Sequence, residues 1–142
     1  MLDEIAIQQT INRWSEGASR TDWEQMGSTL MPNAVWKAAA FGIEAEGIAA
    51  ILGNLAALVA PMAYSVQLNA PGVITVNGDN AVARSVIRES GKYADRDEAF
   101  EILGFYSDVL VRASEGWKFS NRTFEAVAMR NFPLLPTTPA AL

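Results

Sequence analysis

The sequence predicts an α+β fold, helices first and an antiparallel sheet after them, on three observations. Apolar residues recur at helical spacing in the first twenty residues and again over residues 47–59. From Tyr64 onward the apolar period falls from 3.6 to 2. Turn-forming runs, Asn77-Gly78-Asp79 and Ser114-Glu115-Gly116, divide that second half as hairpin turns do. Helical stripes followed by hairpin-connected strands mean a sheet that buries one face under helices. The expected result is a curved sheet wrapped around helices, with a pocket between them. At 142 residues and 50% hydrophobic content the chain reads as one domain, 1–142, with a Pro-rich tail over 131–142.

The first helix rests on Ile7, Ile11, Trp14 and Ala18, one face of a 3.6-residue period, with Asp3 and Glu4 in the first turn where the helix dipole favours acids. Thr21-Asp22-Trp23-Glu24 has the form of a capping box and predicts a second short helix, ending near Pro32. Residues 34–38 read as a strand around Trp36, and 41–46 as another. A third helix over 47–59 is apolar nearly all round, tolerates Gly53 at a cost of about 1 kcal/mol, and closes at Pro61. Four strands are expected, over 64–76, 81–90, 100–113 and 117–129, with a charged loop at 91–98. The tail carries three prolines and suits neither a central strand nor a regular helix.

Composition excludes whole classes of chemistry. There is no Cys and no His, which removes thiolate nucleophiles, the usual metal ligands and the commonest general base. No carboxylate pair is spaced to hold a metal, and no cofactor is expected. Eleven Lys and Arg against 16 Asp and Glu give a formal charge of −5, a poor match to nucleic acid. The apolar runs are too short to span a bilayer and the N-terminus is acidic, so the expectation is a cytoplasmic protein with no membrane partner.

Alternation sorts the strand faces. The less charged faces carry Phe105, Ser107 and Val109 on the third of these strands, and Phe119, Asn121 and Thr123 on the fourth. A half-buried sheet turns its apolar set inward, so these six are expected on the concave side. Asp108 and Arg122 then form an exposed cross-strand ion pair worth about 0.2–1 kcal/mol, and Tyr106 is a sheet-surface aromatic. On the strand before, Ala81, Ala83, Ser85, Ile87 and Glu89 form the inward face, opposite Arg84 and Arg88. Glu89 is then an ionisable group aimed at the cavity, or a solvated carboxylate paired with Arg88, Lys92 or Arg96.

The residues also carry a resemblance. Asp22-Trp23, Pro32-Asn33-Ala34-Val35-Trp36, Val76 to Ala81, Gly104-Phe105-Tyr106-Ser107-Asp108 and Glu115-Gly116-Trp117-Lys118-Phe119 with Arg122 together resemble the SnoaL-like proteins. These belong to the superfamily named for nuclear transport factor 2, with ketosteroid isomerase, scytalone dehydratase, limonene epoxide hydrolase and polyketide cyclases. The resemblance covers nearly the whole chain. It implies a cone-shaped α+β barrel, an apolar pocket between sheet and helices, and a homodimer through the convex face. It also implies catalytic positions, and here they hold other residues: Ser19 and Gln67 for an Asp–His pair, Ala38 and Thr123 for acids, Trp14 for a donor Tyr.

Two functions are compatible with that set. One is a cofactor-independent lyase, isomerase or cyclase on a neutral aromatic, polyketide or steroid-like molecule. In it Glu89 is the base, and Trp14, Ser19, Trp36, Gln67, Phe105, Ser107, Asn121 and Thr123 line the substrate site. The other is a non-catalytic small-molecule binding or accessory protein that has lost the acid–base groups. Trp14 and Trp36 have a second reading as core anchors.

Overall fold

The computed structural model describes residues 1–135. Three α-helices, α1 (Leu2–Arg20), α2 (Trp23–Ser28) and α3 (Ile48–Val59), pack on one mixed sheet. Its strands are β1 (Leu30–Ala38), β2 (Ile43–Glu46), β3 (Met62–Asn69), β4 (Val73–Asn77), β5 (Asn80–Tyr93), β6 (Glu98–Ala113) and β7 (Gly116–Pro133). The order is β2-β1-β7-β6-β5-β3, with β4 also on β5. Every pairing is antiparallel except β1 with β7. The sheet is curved and does not close, which matches the expected cone.

α1 buries the predicted stripe: Ile7, Ile11 and Trp14 are out of contact with water. Its N-terminus is tied to the far hairpin, where Arg112 donates to both Asp3 oxygens at 2.8 and 3.0 Å and Trp117 Nε1 donates at 3.2 Å. That arginine, joined by Trp117, holds the Asp3 carboxyl down at about 2.

Curvature comes from β7. Val109 faces Asn121 but Leu110 faces Phe119, so Ser120 bulges. Leu103 faces Ala128 but Gly104 faces Ala126, so Val127 bulges too. Bulges bend a strand and raise its twist. Two glycines permit the close approaches that follow. A Cβ on Gly104 would sit 2.5 Å from the Phe124 ring, and one on Gly91 2.3 Å from the Tyr64 carbonyl.

Five local expectations are corrected. Asp22 caps α2, accepting from Gln25 N at 3.0 Å, while Thr21 takes a left-handed conformation that ends α1. α2 stops at Ser28, and Pro32 lies inside β1. The expected strand over 64–76 is two, broken at Ala70-Pro71-Gly72, and β5 runs on through Gly91 to Tyr93. Of the tail, residues 131–133 extend β7 opposite residues 98–100, because a long edge of β6 is there to pair with. Positions 136–142 lie outside the described residues.

Candidate functional site

The concave face is the one that carries Asp108. Tyr106 and Asp108 are 3% and 2% exposed and Arg122 is fully buried, whereas Phe105 is 46% exposed. Phe105, Ser107 and Val109 therefore face outward, and so do Asn121 and Thr123 beside them. The expected facing of β6 is inverted. On β7 it is right for Phe119 and wrong for Asn121 and Thr123. The cause is the Ser120 bulge: Phe119 precedes it and Arg122 and Phe124 follow it, so all three point inward although their parity differs.

Asp108 and Arg122 are cross-strand neighbours, as expected, but sealed from water. Arg122 Nε and Nη2 donate to the two Asp108 oxygens at 2.7 and 3.1 Å. The guanidinium carbon lies 3.8 Å from the Tyr106 ring centre and 4.2 Å from that of Phe119. Burial pushes the Asp108 carboxyl up and Arg122 pulls it back. The two side chains meet in the forked, two-bond geometry in which a guanidinium matches a carboxylate.

The hollow lies between this face and the helices. Ala18 of α1, Met26 of α2, and Leu55, Leu58 and Val59 of α3 form one wall. Met62, Ser65 and Gln67 on β3, Ile87 and Glu89 on β5, Ile102 and Tyr106 on β6, and Phe124 on β7 form the other. Trp23, Trp36 and Phe41 close the remaining side, with Phe41 stacked parallel on Phe124 at 6.0 Å. The free space is about 70 Å³. That is room for a few waters; an aromatic ring, which takes a cavity of about 150 Å³, fits only if Phe41 or α3 gives way, and a steroid would need more.

β5 places Glu89. Ala81, Ala83, Ser85 and Ile87 are buried on the inward face, as the alternation predicts, and Glu89 ends that run inside the hollow. Burial raises its carboxyl above the usual glutamate range, and one hydrogen bond, from Ser65 Oγ at 2.6 Å, opposes the shift. None of the expected cations reaches it: Arg88 pairs with Glu101, Lys92 donates to two carbonyls, and Arg96 pairs with Asp95 and Glu98. Gln67 is its partner across β3 and β5, and Gln67 Oε1 is buried with no donor. Tyr106 keeps its proton, since burial, only partly opposed by Arg122, pushes its hydroxyl up to about 12.

Of the nine candidate residues, Glu89, Trp36 and Gln67 come together in the hollow. Ser19 lies behind it, accepting from the Gln67 backbone N–H at 2.8 Å and donating to the Ser15 carbonyl at 2.8 Å. Trp14 is buried edge-on against Phe119 and does not reach the hollow. Phe105, Ser107, Asn121 and Thr123 are on the other face of the sheet. Sequence reasoning missed Ser65 and Tyr106; cross-strand pairing of Tyr106 with inward-facing Ser85 is the signal that places it. Among the described residues no group of carboxylates could hold a metal ion, and no helix is long and apolar enough to cross a membrane.

Comparison with known proteins follows the same geometry. Residues 1–123 match the SnoaL-like domain family. A solved structure described as a scytalone dehydratase from Novosphingobium aromaticivorans DSM 12444 superposes with a TM-score of 0.83 at 19% identity, covering 100% of this chain and 99% of that one. A hexachlorocyclohexane dehydrochlorinase, LinA type 2, gives 0.82 at 16% identity over 99% of both chains. An aromatic ring hydroxylase by its description, also from N. aromaticivorans, gives 0.83 at 21% identity over 92% and 93%. At these identities the likeness speaks for the fold. No curated protein matches the chain by sequence.

Proposed function

The chain belongs to the SnoaL-like family, within the nuclear transport factor 2-like superfamily, and from that premise we propose that it is a cofactor-independent lyase or isomerase in which Glu89 is the base. The observation that carries this is a carboxylate with no cation beside it, raised by burial, in an apolar hollow lined by aromatic rings. A general base works best when its proton affinity sits near the working pH, and burial moves a carboxylate that way. Glu89 would take a proton from carbon. The electron pair left behind would expel a group on the next carbon in a lyase, or be reprotonated elsewhere in an isomerase. Tyr106, which holds its proton, and the Trp36 indole N–H beside it are donors available to the developing negative charge. That dehydratases and a dehydrochlorinase share the fold supports a reaction of this kind. The hollow's size favours a neutral single-ring substrate over a steroid.

The test is isomerisation of cyclohex-3-enone to its conjugated isomer, followed by NMR in D₂O. Catalysed exchange in the native protein and its loss in Glu89→Gln are expected. Equal exchange in both would exclude Glu89 as the base. One observation favours a non-catalytic binding protein instead: Ser19 and Gln67 are joined through a backbone N–H, so neither moves protons between side chains. On that reading ring compounds raise the melting temperature and nothing turns over.

The convex face exposes Val82, Val86, Phe105 and Val109 together. We propose that a second copy covers it in a homodimer. Sedimentation should give twice the chain mass, and Phe105→Glu should give the monomer.

A further inference from the structure

Three carboxylates of this protein are drawn out of water, and they are answered differently. Asp108 has Arg122, and Glu101 has Arg88 and Arg130. Glu89 has only the hydroxyl of Ser65. The groups that face it come from every element around the hollow: Ser65 and Gln67 from β3, Ile102 and Tyr106 from β6, Trp36 from β1, and the aliphatic side chains of α3. None is a cation. The nearest buried positive charge, on Arg122, stands behind the Tyr106 ring and is already neutralised by Asp108.

A second acceptor lies beside it. Gln67 is paired directly with Glu89, and its Oε1 is buried without a donor. Glu89 and Gln67 thus line the hollow as cross-strand neighbours, a carboxylate and an amide whose oxygen no protein donor answers. An ammonium group has the opposite character, with positive charge, three donors and no acceptor. The rest of the lining suits what such a group is attached to. Trp23, Trp36, Phe41, Tyr106 and Phe124 are aromatic, and cations are attracted to aromatic faces.

We infer that the hollow, with Phe41 or α3 giving way, takes a protonated amine carrying a single ring, its nitrogen held between Glu89 and Gln67 and its ring among Trp36, Phe41 and Phe124. The inference rests on the reading of the hollow as a ligand site but not on catalysis. In a neutral substrate the carboxylate is free to act as a base. With an amine it is occupied as a counter-ion, so amines of this size would also block the reaction.

Isothermal titration at neutral pH with benzylamine and with its uncharged isostere, benzyl alcohol, tests this. A charge-assisted hydrogen bond predicts that benzylamine binds the native protein about tenfold or more tightly than the alcohol. Glu89→Gln should remove that preference, bringing the two compounds within about twofold of each other. Gln67→Met should weaken the amine more than the alcohol. In the native protein the amine's affinity should fall on acidification as Glu89 takes up a proton, while the alcohol's stays flat. Alcohol binding with equal or weaker amine binding would overturn the inference and leave the ligand hollow standing. A preference that survives in Glu89→Gln, or that ignores pH, would overturn it as well. If neither compound binds, the inference and the hollow as a ligand site fail together.

Discussion

Glu89 and Asp108 sit on neighbouring strands and point to the same side of one curved sheet, Asp108 buried and Glu89 half-buried. They differ in having a partner. Asp108 meets Arg122 through two hydrogen bonds, and the guanidinium lies against the rings of Tyr106 and Phe119. Glu89 meets one serine hydroxyl at the edge of a hollow. Burial raises both carboxyls, but only Asp108 has a cation working against it. The paired acid is held at both oxygens by Arg122 and sealed from water, so its role is structural. The unpaired one keeps its chemistry available. A carboxylate in a core is therefore read by what answers it, more than by how deeply it lies.

The sharpest way to break that contrast is to remove Arg122. Arg122→Met leaves Asp108 charged, buried and alone, and should lower stability by about 3–5 kcal/mol in urea unfolding. Adding Asp108→Leu should recover most of the loss, since a well-packed apolar pair often equals a buried ion pair. A loss near zero in the single variant would mean that the pair is solvated. Next in size, Tyr106→Phe removes a donor from the hollow without disturbing the ion pair. Turnover should fall by about 10²-fold, as for other single donors to developing charge, with stability little changed.

Glu89→Gln should act on stability in the other direction. The folded-state proton affinity of Glu89 is raised, so between the ordinary glutamate value and the raised one the native state binds more protons than the unfolded chain. Glu89 therefore stabilises the fold at low pH, and that contribution is lost as pH rises through the raised value. At neutral pH the glutamine variant should be at least as stable as the native protein, and flatter with pH, in thermal melts. Stability lost on this substitution would show that the carboxylate has an unseen cation. Smallest is Ser65→Ala. It takes away the hydrogen bond that favours the ionised form, so the acidic limb of the pH–rate profile should move upward.

The same two strands show how far the sequence can be read. On β5 the facing is legible because small residues alternate with Arg84 and Arg88, and charge marks the outside. That rule placed Glu89 inside. On β6 and β7 it failed because Asp108 and Arg122 cancel each other, so a face bearing two charges carries none in net terms. A counter-signal was present. Ser114-Glu115 is a two-residue turn, and it sets Leu110 opposite Phe119, which puts the even-numbered residues of β6 on the side of an obvious core aromatic. The bulge at Ser120 then carries Arg122 to that side as well. A bulge leaves no mark in alternation, so the inward place of Phe124 and the outward place of Thr123 were not readable. The helices were, because their apolar stripes are long and periodic. The second helix's cap was misread by one residue because Thr21 and Asp22 are both good capping residues.

The central claim, that Glu89 is a buried acid without a counter-ion, is tested most directly by titrating its side-chain carboxyl by carbon-13 NMR, with Glu89→Gln to assign the signal. The account predicts a midpoint above that of an ordinary glutamate, and a further rise in Ser65→Ala. A midpoint in the ordinary glutamate range or below it would contradict the account.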